Sequence, residues 1–240
     1  ARDGRVELEH DPIAGMKGVL GFQTSQRDFS ALGEEAFIQP TVTRKHAGFV
    51  LEQYRHGDWR AGAAPRREWQ RVTAETSELA RSHSGTSASV GAVWKLVPGY
   101  SLGASFSHTH RLPTAEEMFA DGLHMATSTY ERGNPDLKKE TSRNIDLTLR
   151  KLSGPTTFTV GVFRNNVRNF IYGNTVDEHE GLQLLDYTQR NAVFTGIEGQ
   201  VRQQFTPVLG ATVFGDYVRA QLEAGDGNRN LPRIPAARVG

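Results

Sequence analysis

Tight turns alternate with long polar connections between runs that read as β-strands, and that rhythm limits the fold more than any other feature of this sequence. The strand-like runs lie at 3–10, 17–25, 43–55, 59–72, 86–97, 100–110, 140–152, 156–172, 184–205, 210–223 and 234–240. Every second connection is short and rich in turn formers: "DPIAGM", "HGD", "PG" at 98–99, "SGP" at 153–155 and "TPVL" at 206–209. The others are long, at 26–42, 73–85, 111–139, 173–183 and 224–233.

Within the runs, apolar and polar residues alternate with period two. Ile145, Leu147 and Leu149 share one face while Asn144, Asp146, Thr148 and Arg150 share the other. Val193, Ile197, Val201 and Phe205 likewise oppose Glu198, Gln200, Arg202 and Gln204. A soluble antiparallel sheet with one wet face gives the same alternation. Several runs reach ten or more residues, however, beyond the usual length of about 5 or 6 for globular strands and close to the roughly 9 to 11 of a tilted membrane strand. Segregated short and long connections fit an up-and-down barrel whose two ends face different compartments. The fold expected is all-β: an antiparallel up-and-down transmembrane β-barrel, present in part, with about eleven strands in a single domain over 1–240.

Composition agrees once a barrel is considered. Mean hydropathy is -0.50 and 37% of residues are hydrophobic. No stretch approaches the roughly 20 apolar residues of a helical span, but a barrel averages lipid-facing and lumen-facing residues to a polar composition. A net charge of +1, from 28 basic and 27 acidic residues, provides no field for a nucleic-acid partner. The absence of cysteine fits passage through an oxidising compartment without disulfides. The start at Ala1 without Met or a signal-like segment, and the end in a strand-like "RIPAARVG", read as an internal fragment. No Gly-x-Ser-x-Gly, His-Glu-x-x-His or phosphate-cradling Gly-Lys-Ser/Thr pattern occurs, so an enzyme is not expected.

The connection 111–139 concentrates potential metal ligands: Glu116, Glu117, Asp121, His124 and Glu131. Its motifs carry a resemblance. "RLPTAEEMFADG" followed by "GNPDLKKETSRNIDL" resembles the TonB-dependent outer-membrane receptors, through Arg111, Pro113 and Glu117, then Gly133, Asn134, Pro135, Leu137 and Glu140. "FADGLHMATSTYERGN" looks like their zinc-uptake subgroup, with His124, Ala126, Thr127, Tyr130 and Glu131 matching, and Asp121 standing where that subgroup often has a second His. "YGNTVDEHEG", "FTGIEGQV", "GDYVRA" and "PRIPAARVG" continue the resemblance in order.

The resemblance implies a barrel of about twenty-two strands in the bacterial outer membrane, filled by a plug domain that this chain does not contain. It implies transport of a metal cargo, zinc first, driven by the TonB-ExbB-ExbD complex, with no prosthetic group. An iron-siderophore or haem receptor shares every barrel feature, and a passive porin, an adhesin or a soluble sheet-based binding module are the readings of another class.

Zinc is commonly held by His nitrogen and carboxylate oxygen in a four-coordinate shell. Asp121 and His124 are the ligands expected, sharing one face if the segment is a helical turn. Glu131 is a further candidate, and Thr127, Thr129 and Tyr130 offer hydroxyls to support the ligands. Glu117 is expected to anchor the connection to Arg111 instead. His108 and His110 share a strand face, by parity that of Phe106, and His179 in "DEHE" offers a weaker capture point at the mouth.

Overall fold

Each alternating run becomes a strand, and most extend beyond their alternating core. The computed structural model describes residues 1–31, 33, 36–179, 181–223 and 229–240. Six strands open the chain: β1 (Arg2–Ile13), β2 (Met16–Phe29), β3 (Thr41–His56), β4 (Trp59–Ala74), β5 (Leu79–Val97) and β6 (Tyr100–Arg111). A short helix α1 (Ala115–Phe119) and two short strands, β7 (Asp121–His124) and β8 (Thr129–Arg132), occupy the connection that follows. The wall resumes with β9 (Glu140–Lys151), β10 (Thr156–His179), β11 (Leu182–Gln204), β12 (Gly210–Leu222) and β13 (Arg238–Val239). In the sheet the order is β1-β2-β3-β4-β5-β6-β9-β10-β11-β12-β13, sequential and antiparallel throughout. The expected up-and-down wall of eleven strands is therefore present.

The short turns pass through positive φ, mostly at glycine. Ala14 (φ 51) and Gly15 (φ 82) close β1 to β2, and Gly99 (φ 84) closes β5 to β6. Two of the expected long connections are different. The span 73–85 is mostly strand, because β4 runs to Ala74 and β5 begins at Leu79. The span 173–183 is the outer end of a long hairpin, with β10 reaching His179 and β11 starting at Leu182. Polar, turn-forming composition misled there, since strands that rise beyond a membrane into water need no apolar face to stay paired. Residues 224–228 of the last long connection lie outside the described residues.

Register sorts side chains into two faces. Leu147 sits opposite Ala104 and Val162, and Val162 opposite Ile197, which in turn faces Tyr217. This apolar face is bare: Leu8 is 67% exposed, Ile145 54% and Ile197 49%. An apolar band of this breadth needs a lipid solvent, since water-soluble surfaces rarely tolerate such continuous patches. The opposite face is polar and internally paired, as where Ser105 donates to Asp146 at 3.0 Å and Arg66 meets Glu68 at 3.0 Å. Among the described residues no helix is long and apolar enough to cross a membrane. Crossing falls to the strands.

Candidate functional site

The connection between β6 and β9 is folded onto the mouth of the wall rather than left as a solvated loop. Thr114 caps α1 by accepting from the Glu117 N–H at 3.2 Å, and the Glu117 carboxylate accepts the Thr114 N–H at 2.9 Å, a reciprocal capping box. That fixes Glu117 beside Arg111, whose Nη1 donates to both Glu117 oxygens at 2.9 and 3.0 Å. The same guanidinium reaches Glu140 at the start of β9 at 2.5 and 2.7 Å. One arginine thereby ties both ends of the connection together, as expected for Glu117. Glu140 also accepts the Ile171 N–H at 2.7 Å, which brings in β10.

Burial then holds the connection down. Met118, Phe119 and Ala115 of α1 pack with Leu137, with Ile38, with Val72 and Ala74 of β4, and with Ile171. Met118 is 1% exposed, so truncating it to Ala removes about 2 to 5 kcal/mol. Gly133 makes the close approach possible. A Cβ there would lie 2.6 Å from the backbone of Met118 and Phe119, and its N–H donates to the Ala120 carbonyl at 2.6 Å. The Gly-Asn-Pro-x-Leu motif is thus a packing device: Arg81 donates to the Pro135 carbonyl at 2.8 Å, and His83 bonds the Leu137 carbonyl at 2.9 Å.

Between these anchors, β7 and β8 form a small hairpin, and β8 adds in parallel to β11 through Gln183–Asp186. Arg132 forks onto Asp186 at 2.6 and 2.8 Å and pins the register. Strand geometry decides where the expected ligands point. Asp121 and His124 are three apart on a strand, not on a helical turn, so they project from opposite faces. Asp121 is exposed and accepts from the Tyr130 hydroxyl at 3.1 Å, which raises the phenol above its ordinary range. The shared face expected for this pair is not formed.

His124 is instead brought to Glu131. Its Nδ1 lies 2.9 Å from Glu131 Oε1, and because a carboxylate only accepts, Nδ1 carries the proton. Glu131 is buried, with a side chain 7% exposed. Its Oε1 also accepts from Thr129 at 3.2 Å, and its Oε2 accepts from the Tyr187 hydroxyl at 2.9 Å. Burial first, then the adjacent Glu131 charge, pushes the Tyr187 phenol up and keeps it a donor. Thr127 bonds Thr129 at 2.6 Å and the His124 carbonyl at 3.2 Å. The imidazole stacks flat on Phe37, 4.5 Å between ring centres and 7° between planes. No described residue hydrogen-bonds Nε2, and the His124 side chain is 34% exposed.

The arrangement divides the expected ligands by role. Both oxygens of Glu131 are engaged, so it orients the imidazole through Nδ1, while the Nε2 lone pair is engaged by no described residue. Among the described residues no group of three or more His, Asp or Glu side chains lies close enough together to hold a metal ion. His108 and His110 lie on the apolar, outward face as their parity indicated, edge to face at 5.1 Å, with His110 Nδ1 at 2.8 Å from the Thr86 carbonyl. They are separate from His124. The His179 side chain and Glu180 lie outside the described residues. Tyr187 and Phe37 were not singled out in the sequence; Tyr187 stands 56 positions from Glu131, and no short motif records such a pairing.

Comparison with known proteins places the fold. Residues 2–240 match the family described as TonB dependent receptor-like, beta-barrel. The chain is 26% identical over 167 residues to the heme/hemopexin utilization protein C of Haemophilus influenzae, covering 61% of this chain and 23% of that protein. Its fold is similar to that of the copper transporter OprC, with a TM-score of 0.82 at 17% identity, over 99% of this chain and 39% of the other. It is similar also to the FrpB iron transporter of Neisseria meningitidis, with a TM-score of 0.67 at 13% identity, over 90% and 34% of the two chains. The hemophore receptor HasR of Serratia marcescens, in complex with its hemophore and heme, gives 0.67 at 14%, over 92% and 41%. The chain spans well under half the length of each of these relatives. With a sequential antiparallel wall, an apolar outer face and a family match over nearly every residue, the chain belongs to the TonB-dependent receptor β-barrel family.

Proposed function

We propose that this barrel segment serves uptake of a metal cargo across the bacterial outer membrane, with energy delivered by TonB-ExbB-ExbD through a plug domain. In this reading the 111–139 connection faces the exterior and His124 is its contact with the cargo. The observation that carries it is the buried Glu131 carboxylate holding Nδ1–H of His124 at 2.9 Å while no described residue bonds Nε2. A carboxylate behind an imidazole fixes its tautomer and orientation and raises its basicity as a ligand, an arrangement typical of metal-binding histidines. The chain transports rather than catalyses, and the metal is cargo rather than a resident cofactor.

Zinc is the cargo this reading places first: His nitrogen suits it, and an imidazole holds the ion less firmly than a thiolate would, which favours release. His124 supplies one ligand and the rest come from other parts of the receptor. Haem is the second reading, supported by the relative named for heme/hemopexin utilization and by a geometry that offers a single imidazole. A porin, an adhesin or a soluble module has no use for a carboxylate-held imidazole at the mouth. Purified full-length receptor titrated with zinc and, separately, with haem tests the reading. Zinc binding that depends on His124 supports the first cargo, a His124-dependent haem absorbance band supports the second, and neither being bound removes His124 as the contact.

A further inference from the structure

The outward face of the wall carries an ion pair that transport through the lumen does not use. His10 of β1, Gly18 of β2 and Glu52 of β3 are register partners, one outward place from the row Leu8, Leu20 and Val50, whose face they share. A Cβ at Gly18 would collide with the Glu52 carboxylate, so the glycine lets that side chain lie across β2 toward His10. His10 Nε2 stands 3.2 and 3.3 Å from the two Glu52 oxygens, and its Nδ1 stands 2.8 Å from the Asp11 carbonyl. Both partners only accept, so both ring nitrogens donate and the ring is an imidazolium. One shared N–H leaves most of the acceptor capacity of Glu52 unfilled. No other described side chain bonds this carboxylate, and the Glu52 side chain is 32% exposed. A charge facing lipid is costly at depth and tolerated near the headgroups. The pair lies near them, because Met16 and Tyr54, the next outward places on β2 and β3, lead into the short turns.

Glu52 stands at the foot of a shallow, almost wholly apolar groove of about 690 Å³ on the same face. Alanine on three successive strands makes its floor, Ala61 on β4, Ala92 on β5 and Ala104 on β6, between Tyr54 at one end and Phe106 at the other. Beside that floor, the row Glu52, Ala63, Val90, Phe106, Ile145 follows the strand register. Barrel strands are tilted, so such a row climbs through the membrane instead of keeping one depth. Its ends show the direction: Glu52 is one outward place from Tyr54 on the turn side, whereas Ile145 is one from Arg143 at the opposite limit of the apolar face. Four interstrand steps make the row about 19 Å long, against a leaflet of about 15 Å, half of the roughly 30 Å hydrocarbon core. A lipid chain that enters beside Glu52 can follow the groove into the membrane for its whole length.

We propose that this place holds one phospholipid with a primary ammonium headgroup in the leaflet on the short-turn side, its ammonium on Glu52 and one acyl chain along the alanine groove. An ammonium brings three N–H donors to a carboxylate with unfilled acceptor sites, which a quaternary headgroup cannot do. The headgroup's own negative charge then lies on the His10 side, so both members of the pair are compensated. Hydrogen bonds to a charged group give a preference of about ten-fold or more over a headgroup without N–H.

The test uses the full-length receptor in detergent, loaded with phosphatidylethanolamine or with phosphatidylcholine of the same chains and followed by native mass spectrometry. The wild type and a control on the opposite face of β1, Glu9→Gln, are expected to retain phosphatidylethanolamine about ten-fold better. Glu52→Gln is expected to bring the two lipids to near-equality while keeping heat-modifiable gel mobility. If it fails that mobility check, Gly18→Ala, which displaces the carboxylate without removing it, is measured and is expected to lower the preference likewise. Filling the groove with Ala92→Leu/Ala104→Leu is expected to weaken retention of both lipids about ten-fold and to leave their ratio unchanged. Equal retention of both lipids by the wild type, an undiminished preference in the carboxylate variant, equal loss in Glu9→Gln, or retention unaffected by the filled groove would each overturn the proposal. So would displacement by equimolar phosphoethanolamine, which would reveal a site for a soluble amine, or a doubled protein mass in place of bound lipid, which would put a second copy on this face.

Discussion

His124 Nδ1 stands 2.9 Å from Oε1 of Glu131, a carboxylate only 7% exposed whose other oxygen is taken by Tyr187. The relationship makes the two residues unequal: Glu131 is buried and sets the ring, while His124 is partly exposed and no described residue bonds its Nε2. Glu131→Gln in the full-length receptor should weaken metal binding by about 10- to 100-fold through misorientation of the imidazole. Asp121→Ala should change it little, since Asp121 points from the other face of β7. Isothermal titration of the two variants side by side separates these roles.

Tyr187→Phe removes a hydrogen bond to a buried carboxylate without changing the ring. A bond to a charged group contributes about 1.5 to 3 kcal/mol, so the β7–β8 hairpin should loosen. Faster hydrogen exchange at Thr129 and Glu131, with exchange in β9 unchanged, is the expected reading. Equal exchange in both segments would remove Tyr187 from the support of the site.

Much of this was legible in the sequence, and the limits have physical causes. Period-two alternation located the wall strands, because each has one face against lipid and one against water. The Arg111–Glu117 anchor followed from a short-range motif whose partners lie six positions apart. The orientation of Asp121 and His124 was not legible, because "DGLH" has no alternation of its own. It becomes a strand through pairing with β8, which pairs in turn with β11. A helical turn joins positions three apart on one face; a strand parts them.

Arg111→Ala leaves Glu117 and the buried Glu140 without their shared cation. Breaking a buried pair costs about 3 to 5 kcal/mol, and the 42% exposed arginine side chain places this one lower, at about 1 to 3 kcal/mol once solvent screening is included. The loss should appear as increased protease cleavage within 111–139 of the purified receptor. Cleavage unchanged from wild type would show that apolar packing alone holds the connection.

Topology is testable by cysteine labelling of intact cells, and the structure selects the positions. Gly122 is unsuitable, because a Cβ there would lie 2.8 Å from the Phe37 backbone, and Gly154 has φ +87. Met125, 51% exposed in the 111–139 connection, and Val208, 94% exposed in the β11–β12 turn, are free of such strain. Cysteine at Met125 should react with an impermeant maleimide and cysteine at Val208 should not; the reverse pattern would invert the barrel.

The most direct measurement of the central claim is zinc titration of the purified, plug-containing receptor against its His124→Ala variant, with haem titrated in parallel. Tight zinc binding by the wild type, weakened at least about 10-fold in the variant, is the result expected. Equally tight zinc binding by both proteins would contradict the account and remove His124 from the cargo site.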